Sequence, residues 1–248
     1  MSDARPPAAL SPLDEERFGV RTAKASAVTA SALPALLDCC RRERVAFLIA
    51  RCPASDLRAA QAMEAAGFFL TDTLVYYARD LTRGPEPPED TGVGVRSVRP
   101  GEEHAVQAVA ADAFRDYLGH YHADPRLDRA RCDEVYSSWA LRSCLLREVA
   151  EAVLVAEREG RIVGFATLKL NSPGEGEGIL FGVARAAQGL GVYRALMVRG
   201  MGWCRARGAG RMIVSTQLTN TAVQRVWTRL GFELDDAVLT FHKWFDGP

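Results

Sequence analysis

No apolar stretch in this chain approaches the roughly 18–20 residues that a membrane-spanning helix needs, so no such span and no membrane partner are expected. Neither sign of charge is in surplus: 31 Lys and Arg stand against 31 Asp and Glu. A balanced surface creates no bulk field that would gather nucleic acid. Met1 to Leu13 is rich in Pro and Ala and lacks the apolar core of a secretory leader. Residues 1–12 are expected as a frayed tail, and the chain as cytoplasmic. The six cysteines (Cys39, Cys40, Cys52, Cys132, Cys144 and Cys204) form no C-x-x-C pair. Without an export signal they are expected as reduced thiols, mostly small core residues. His120 and His122 form an H-x-H pair, but no third ligand stands at suitable spacing, so no metal is expected.

What is present is an ordinary globular composition, 48% hydrophobic and 25% charged. The composition shifts once. Arg83 to Gly94 reads R-G-P-E-P-P-E-D-T-G-V-G, too rich in Pro and Gly for a helix or a central strand. Residues 83–93 are therefore expected to link an N-terminal unit, 13–82, to a larger one, 94–248. Both units alternate strand and helix. In the first, V-A-F-L-I-A from Val45 has buried-strand length, Asp56 caps a helix to Ala66, and Phe68 to Tyr77 is strand-like. In the second, strands are expected at 93–98, on either side of Glu159-Gly160, at 178–183, at 212–216 and over 232–245. Helices are expected at 100–114, 127–146, 190–207 and 219–230. The fold class is α/β with a mixed sheet. Gly67-Phe68 and Gly231-Phe232 lie 164 positions apart (231 − 67), and Leu70 and Asp72 match Leu234 and Asp236 at the same offset. This weak repeat suggests that the first unit is a partial copy of the second without its glycine turn.

The informative segment is G-I-L-F-G-V-A-R-A-A-Q-G-L-G-V-Y-R-A-L-M, from Gly178 to Met197. A strand runs into a glycine-bearing turn, and the turn opens a helix. A helix N-terminus carries amides without intrahelical partners, and its dipole favours an anion. Gly189 and Gly191 let the backbone approach a bulky phosphate. Gln188 to Tyr193 is thus suited to a pyrophosphate.

This segment resembles motif A of the GNAT superfamily, Gln/Arg-x-x-Gly-x-Gly/Ala. Gln188, Gly191 and Tyr193 occupy its positions, and Tyr193 replaces the expected Gly or Ala. The resemblance extends over about Val93 to Phe245. It implies a GNAT fold, with a partial GNAT-like unit before it, and N-acetyl transfer from acetyl-CoA to an amine by direct attack. It also implies that Val183 offers its backbone amide to the thioester carbonyl and that Asn220 meets the pantetheine arm. Gln188, Gly189, Leu190, Gly191, Val192 and Tyr193 would surround the pyrophosphate. In the family a Tyr four residues before the Gly-Phe stop commonly protonates the departing thiolate. That position is Trp227, whose indole is a donor only and a very poor acid. Trp227 is expected beside the cofactor, and the catalytic acid and base are unassigned.

A narrower likeness lies in H-Y-H-A-D-P-R-L from His120, the following E-V-Y-S-S-W-A-L-R-S and the L-D-E-E-R-F-G start at Leu13. Together they are similar to TDP-fucosamine acetyltransferases. That likeness implies a small-molecule acceptor, the amine of a nucleotide-activated deoxy sugar, met by His120, His122 and Asp124. Arg126, Arg129 and Arg131 either meet its diphosphate or form a solvated face. Glu177 is a candidate base, placed by its E-G-E-G context at a hairpin tip. A protein or peptide amine as acceptor, or a silent acetyl-CoA-binding module, are the alternatives. Oligomeric state stays open, a homodimer included.

Overall fold

A computed structural model describes residues 7–84 and 92–245. The first half runs β1 (Ala9–Leu10), α1 (Pro12–Phe18), β2 (Thr22–Ala25), α2 (Leu33–Arg42), β3 (Phe47–Pro53), α3 (Leu57–Ala65) and β4 (Phe69–Asp80). The second runs β5 (Gly94–Ser97), α4 (Glu103–Ala113), α5 (Arg129–Leu145), β6 (Ala152–Arg158), β7 (Arg161–Ser172), β8 (Glu175–Val183), α6 (Val192–Ala206), β9 (Arg211–Gln217), α7 (Thr221–Arg229) and β10 (Glu233–Trp244). Most expected elements recur within a few residues of their expected bounds. Asp56 caps α3 through a bond from the Ala59 amide at 3.0 Å.

Three expectations need correction. Residues 9–12 of the expected tail are ordered: Ala9–Leu10 pairs with β2, and Pro12 begins α1. Pro12 opens that helix, Ser11 Oγ donates to Asp14 at 2.5 Å, and Gly19 ends it at φ +70°. The two units are not separate bodies either, because all ten strands form one sheet in the order β1-β2-β3-β10-β4-β9-β8-β7-β6-β5. The C-terminal strand β10 is clasped between β3 and β4 of the first half. Third, β2 and α2 had no expected counterpart. Most of the expected linker, 85–91, and residues 1–6 and 246–248 lie outside the described residues.

The offset of 164 reappears in the strand register. Pro53 pairs with Val238, and 164 positions on, Gln217 pairs with Leu74. Phe47 with Trp244 becomes Arg211 with Asp80. Where β4 meets β10 the pairing maps onto itself, with Leu74 opposite Val238 at the centre and bulges at Thr71 and Asp235. The parallel pairs differ in one respect. Thr22 and Phe47 are 25 positions apart (47 − 22), whereas Glu175 and Arg211 are 36 apart (211 − 175). The longer second connection holds the end of β8 and the glycine turn.

Side-chain alternation on β3 sorts the interior. Leu48, Ala50 and Cys52 pack with Leu36, Cys40, Ala59 and Met63 of α2 and α3. Phe47 and Ile49 face the other way, onto Tyr121, Leu127, Cys132 and Val135. Arg51 shares their parity. The second half has its own core, where Leu196, Met197 and Met201 of α6 meet Leu168, Met212 and Val214. All six cysteines are free, and all but Cys144 are buried. No described helix is long and apolar enough to cross a membrane.

Candidate active site

Strands β8 and β9 are parallel partners only over Glu175–Gly178 and Arg211–Val214. Beyond that point β8 stays with β7 to Val183, while Ser215 to Gln217 pair with β4. The two strands part, leaving a cleft between them, and β8 runs on through Val183 to the glycine turn. Gly189 and Gly191 have φ +77° and +79°, the left-handed region that glycine enters without strain. A Cβ at either would meet nothing within 4 Å, so they serve backbone shape and approach, not packing. The first intrahelical bond of α6 runs from the Ala195 amide to Gly191 O at 3.0 Å. The amides of Val192 and Tyr193 come before it, at the positive end of the helix. Gln188 braces the turn through Nε2 to Val183 O at 3.3 Å. Leu190 is exposed.

Tyr193 points its side chain back into the cleft. Its ring centroid lies 5.6 Å from that of Phe181, and its hydroxyl accepts from Trp227 Nε1 at 3.0 Å. Burial pushes this phenol up, against the bond from Trp227, so it stays protonated. Its own proton has no acceptor among the described residues. Asn220 precedes α7 and donates Nδ2–H to Thr216 Oγ1 at 3.0 Å. Tyr117 lies beside them, and burial raises its hydroxyl above the usual range against the lowering effect of Thr216 and Asn220.

The cleft opens into a cavity of about 470 Å³. Tyr193, Thr216, Gln217, Asn220 and Trp227 line it from the second half. Asp14, Arg17, Lys24, Ile49 and Arg51 line it from the first, and Tyr117, His120 and Tyr136 from the segment between. Asp14 is fully buried and anchors that wall, accepting from Tyr121 Oη at 2.8 Å and pairing with Lys24 at 2.5 Å. Burial raises its carboxyl, but the Lys24 charge and the bonds from Lys24, Ser11 and Tyr121 outweigh burial and hold it below the usual range. The Arg51 and Arg142 guanidiniums line the same cavity without a carboxylate partner among the described residues.

The expected acceptor residues divide. His120 lines the cavity. His122 does not: its Nδ1 accepts from the Gly119 amide at 3.1 Å and its Nε2 meets Asp133 at 3.0 Å, so it braces its own loop. Asp124 does not line the cavity either. It lies 2% exposed behind His242, with its Oδ2 2.8 Å from His242 Nδ1 and 2.9 Å from Trp244 Nε1. Arg126 stacks on Trp244, Arg129 pairs with Asp133, and Arg131 donates to Arg17 O. None of the three lines the cavity. Glu177 is in β8, not at a hairpin tip, and is tied to Lys169 at 3.0 Å on the cavity wall. His242 and Arg51 had not been singled out, and Asp14 only as part of the L-D-E-E-R-F-G start. They come from strand and helix positions about 70 to 120 residues from the loop they face.

The model of the Acetyltransferase (GNAT) family matches residues 107–232. A mycothiol acetyltransferase of Cellulomonas flavigena is 34% identical over 195 residues, 71% of this chain and 52% of that protein. A mycothiol acetyltransferase of Thermobispora bispora is 31% identical over 194 residues, 71% of this chain and 59% of that protein. The chain thus spans about half the length of the curated relatives it matches. These relatives carry that name rather than TDP-fucosamine acetyltransferase, which corrects the narrower likeness. Two solved structures share the fold at low identity. A GCN5-related N-acetyltransferase from Sphaerobacter thermophilus has a TM-score of 0.65 at 19% identity, covering 96% of this chain and 76% of that one. A tandem GNAT protein from the clavulanic acid biosynthesis pathway has a TM-score of 0.65 at 16% identity, covering 93% and 77%. With motif A set at the parting of two parallel strands and the family model matching across it, the chain belongs to the GNAT family of acetyltransferases and has the GNAT fold.

Proposed function

We propose that the chain transfers the acetyl group of acetyl-CoA to a primary amine held in the cavity between its two halves. The observation that carries this is the place of Tyr193. It stands in the first turn of the helix that the glycine turn opens, and it lines the cavity with Phe181 of β8, Thr216 of β9 and Trp227, whereas Val183 and residues 188–192 do not line it. In this reading the amides around Gln188, Gly189, Leu190, Gly191, Val192 and Tyr193 hold the pyrophosphate. The Val183 end of β8 meets the thioester arm, and Asn220 meets the pantetheine. A backbone amide aimed at the thioester oxygen stabilises charge that develops only as the amine attacks. Tyr193 gives its proton to the departing sulfur in place of the residue at 227, and Trp227 orients it. The first half is a partial copy of the second. It lacks the turn, so it supplies acceptor-side wall and no second cofactor site.

A cavity of this volume suits a small molecule better than a peptide. The names of the relatives make a mycothiol-related amine the first acceptor to test, ahead of a nucleotide-linked amino sugar. The test is calorimetric titration with acetyl-CoA, followed by thiol release over a panel of both kinds, with aminoglycosides and peptide N-termini beside them. Saturable binding with amine-dependent release is expected. Binding without release across the panel would return the silent module to first place, and no binding would remove the cofactor assignment.

A further inference from the structure

One buried polar chain reaches the cavity wall from a strand that touches neither the glycine turn nor the cleft. Asp124 Oδ2 lies 2.8 Å from His242 Nδ1, and His242 Nε2 lies 2.9 Å from His120 Nδ1. His242 is fully buried and His120 nearly so. Burial pushes the Asp124 carboxyl up, but bonds from His242, Trp244 and the Arg126 amide outweigh it and hold the carboxyl below its usual range. An ionised carboxylate only accepts. His242 therefore carries a proton on Nδ1, and burial, which lowers its pKa against the bond and charge of Asp124, keeps the ring neutral with Nε2 bare. That bare nitrogen can only accept, so His120 carries its proton on Nδ1. The remaining atom, His120 Nε2, is left with a free lone pair. It has no partner among the described residues, and His120 lines the cavity.

We infer that His120 Nε2 is the proton acceptor of the cavity, held in that tautomer by His242 and Asp124. The inference rests on the acetyl-transfer reading. As the amine nitrogen bonds to the thioester carbon and the C–S bond breaks, the electron pair leaves on sulfur and the surplus proton on nitrogen passes to His120 Nε2. His120 then returns this proton to solvent, and Tyr193 regains from solvent the one given to sulfur. Burial, His242 of β10, Arg51 of β3, Lys24 of β2 and His122 of its own loop all disfavour a cationic ring at rest. The ring is therefore neutral and ready. The carboxylates nearby serve less well: Asp14 is held by Lys24 and Tyr121, Glu177 is held by Lys169, and Asp72 does not line the cavity. His120 is the group that touches the acceptor; His242 and Asp124 are positioning residues.

The test uses the whole chain labelled with 15N at its four histidines, His104, His120, His122 and His242. Long-range proton–nitrogen correlation at pH 7, assigned by single substitutions, is expected to show His120 and His242 both neutral, each with Nδ1 protonated and Nε2 bare. His242→Phe removes the acceptor and is expected to put a proton on His120 Nε2. His242→Gln keeps an acceptor oxygen and is expected to leave His120 as it is, which guards against a folding artefact. A protonated Nε2 in the unaltered protein, or a His120 tautomer indifferent to His242→Phe, overturns the relay. With the amine found in the acceptor screen, His120→Ala is expected to lower kcat by about 10²-fold or more, the usual share of a general base, with KM for acetyl-CoA unchanged. Turnover at the unaltered rate overturns the base. Failure of every amine counts against the acetyl-transfer reading alone, since the tautomers are read without substrate.

Discussion

Two residues that depart from the family pattern are hydrogen-bonded to each other. Tyr193 replaces a small residue and Trp227 replaces a phenol, and the indole of the second donates to the hydroxyl of the first at 3.0 Å. A phenol is thus retained in the cleft, carried on α6 instead of α7. The indole occupies one lone pair of that oxygen, and the phenolic proton has no acceptor among the described residues. Tyr193→Phe keeps the ring and removes the proton. It is expected to lower kcat on the order of 10²-fold while acetyl-CoA affinity by calorimetry stays unchanged. An undiminished kcat would show that the CoA sulfur leaves without this acid. Each departure was visible in the sequence by itself. Their pairing was not, because the two positions lie 34 residues apart and meet only through the packing of two helices on one sheet.

At the scale of elements, β8 shapes the site through the side chains it lacks. Gly182 lies one residue before Val183, where β8 has left β9 and follows β7. A Cβ there would stand 2.5 Å from Phe165 Cε1, and Phe165 is fully buried. Gly182→Ala must push that ring or the strand aside. A cost of about 1–3 kcal/mol is expected, read as a lower midpoint in urea with an unchanged slope. A midpoint equal to the unaltered protein would mean that the Phe165 ring yields freely. The strand-turn-helix from β8 to α6 was legible because glycines, a short apolar run and helical spacing lie in one continuous stretch. The pair β2 and α2 was not. β2 is only four residues long, and α2 begins at Leu33 with no side-chain cap. Its stability comes from Leu36 and Cys40 packing on β3, which no local pattern announces.

For the whole molecule the decisive feature is the exchange of strands between halves. β10 pairs with β3 along one edge and with β4 along the other, and β4 in turn pairs with β9. A fragment of residues 92–248 would leave both edges of β10 and one edge of β9 unpaired, with Phe241 stripped of the first-half core. That fragment is expected to lack a cooperative thermal transition and to regain one when residues 1–84 are supplied in trans. An independently cooperative fragment, followed by near-UV circular dichroism, would contradict this interlock. The same exchange builds the cavity, since Lys24 and Arg51 reach it only because β2 and β3 continue the sheet past β10.

The sequence by itself determined the strand–glycine turn–helix, the family it belongs to, and the 164-residue offset between its halves. Those features rest on the chemistry and spacing of near neighbours, which local geometry translates directly. Only the tertiary structure decided that the halves share one sheet, that His122 and Asp124 turn away from the cavity while His120 faces it, and that His242 stands behind His120. Those outcomes depend on strand pairing between residues up to 197 positions apart (244 − 47). There the choice of partner is made by burial and register summed over the whole sheet, not by any one segment.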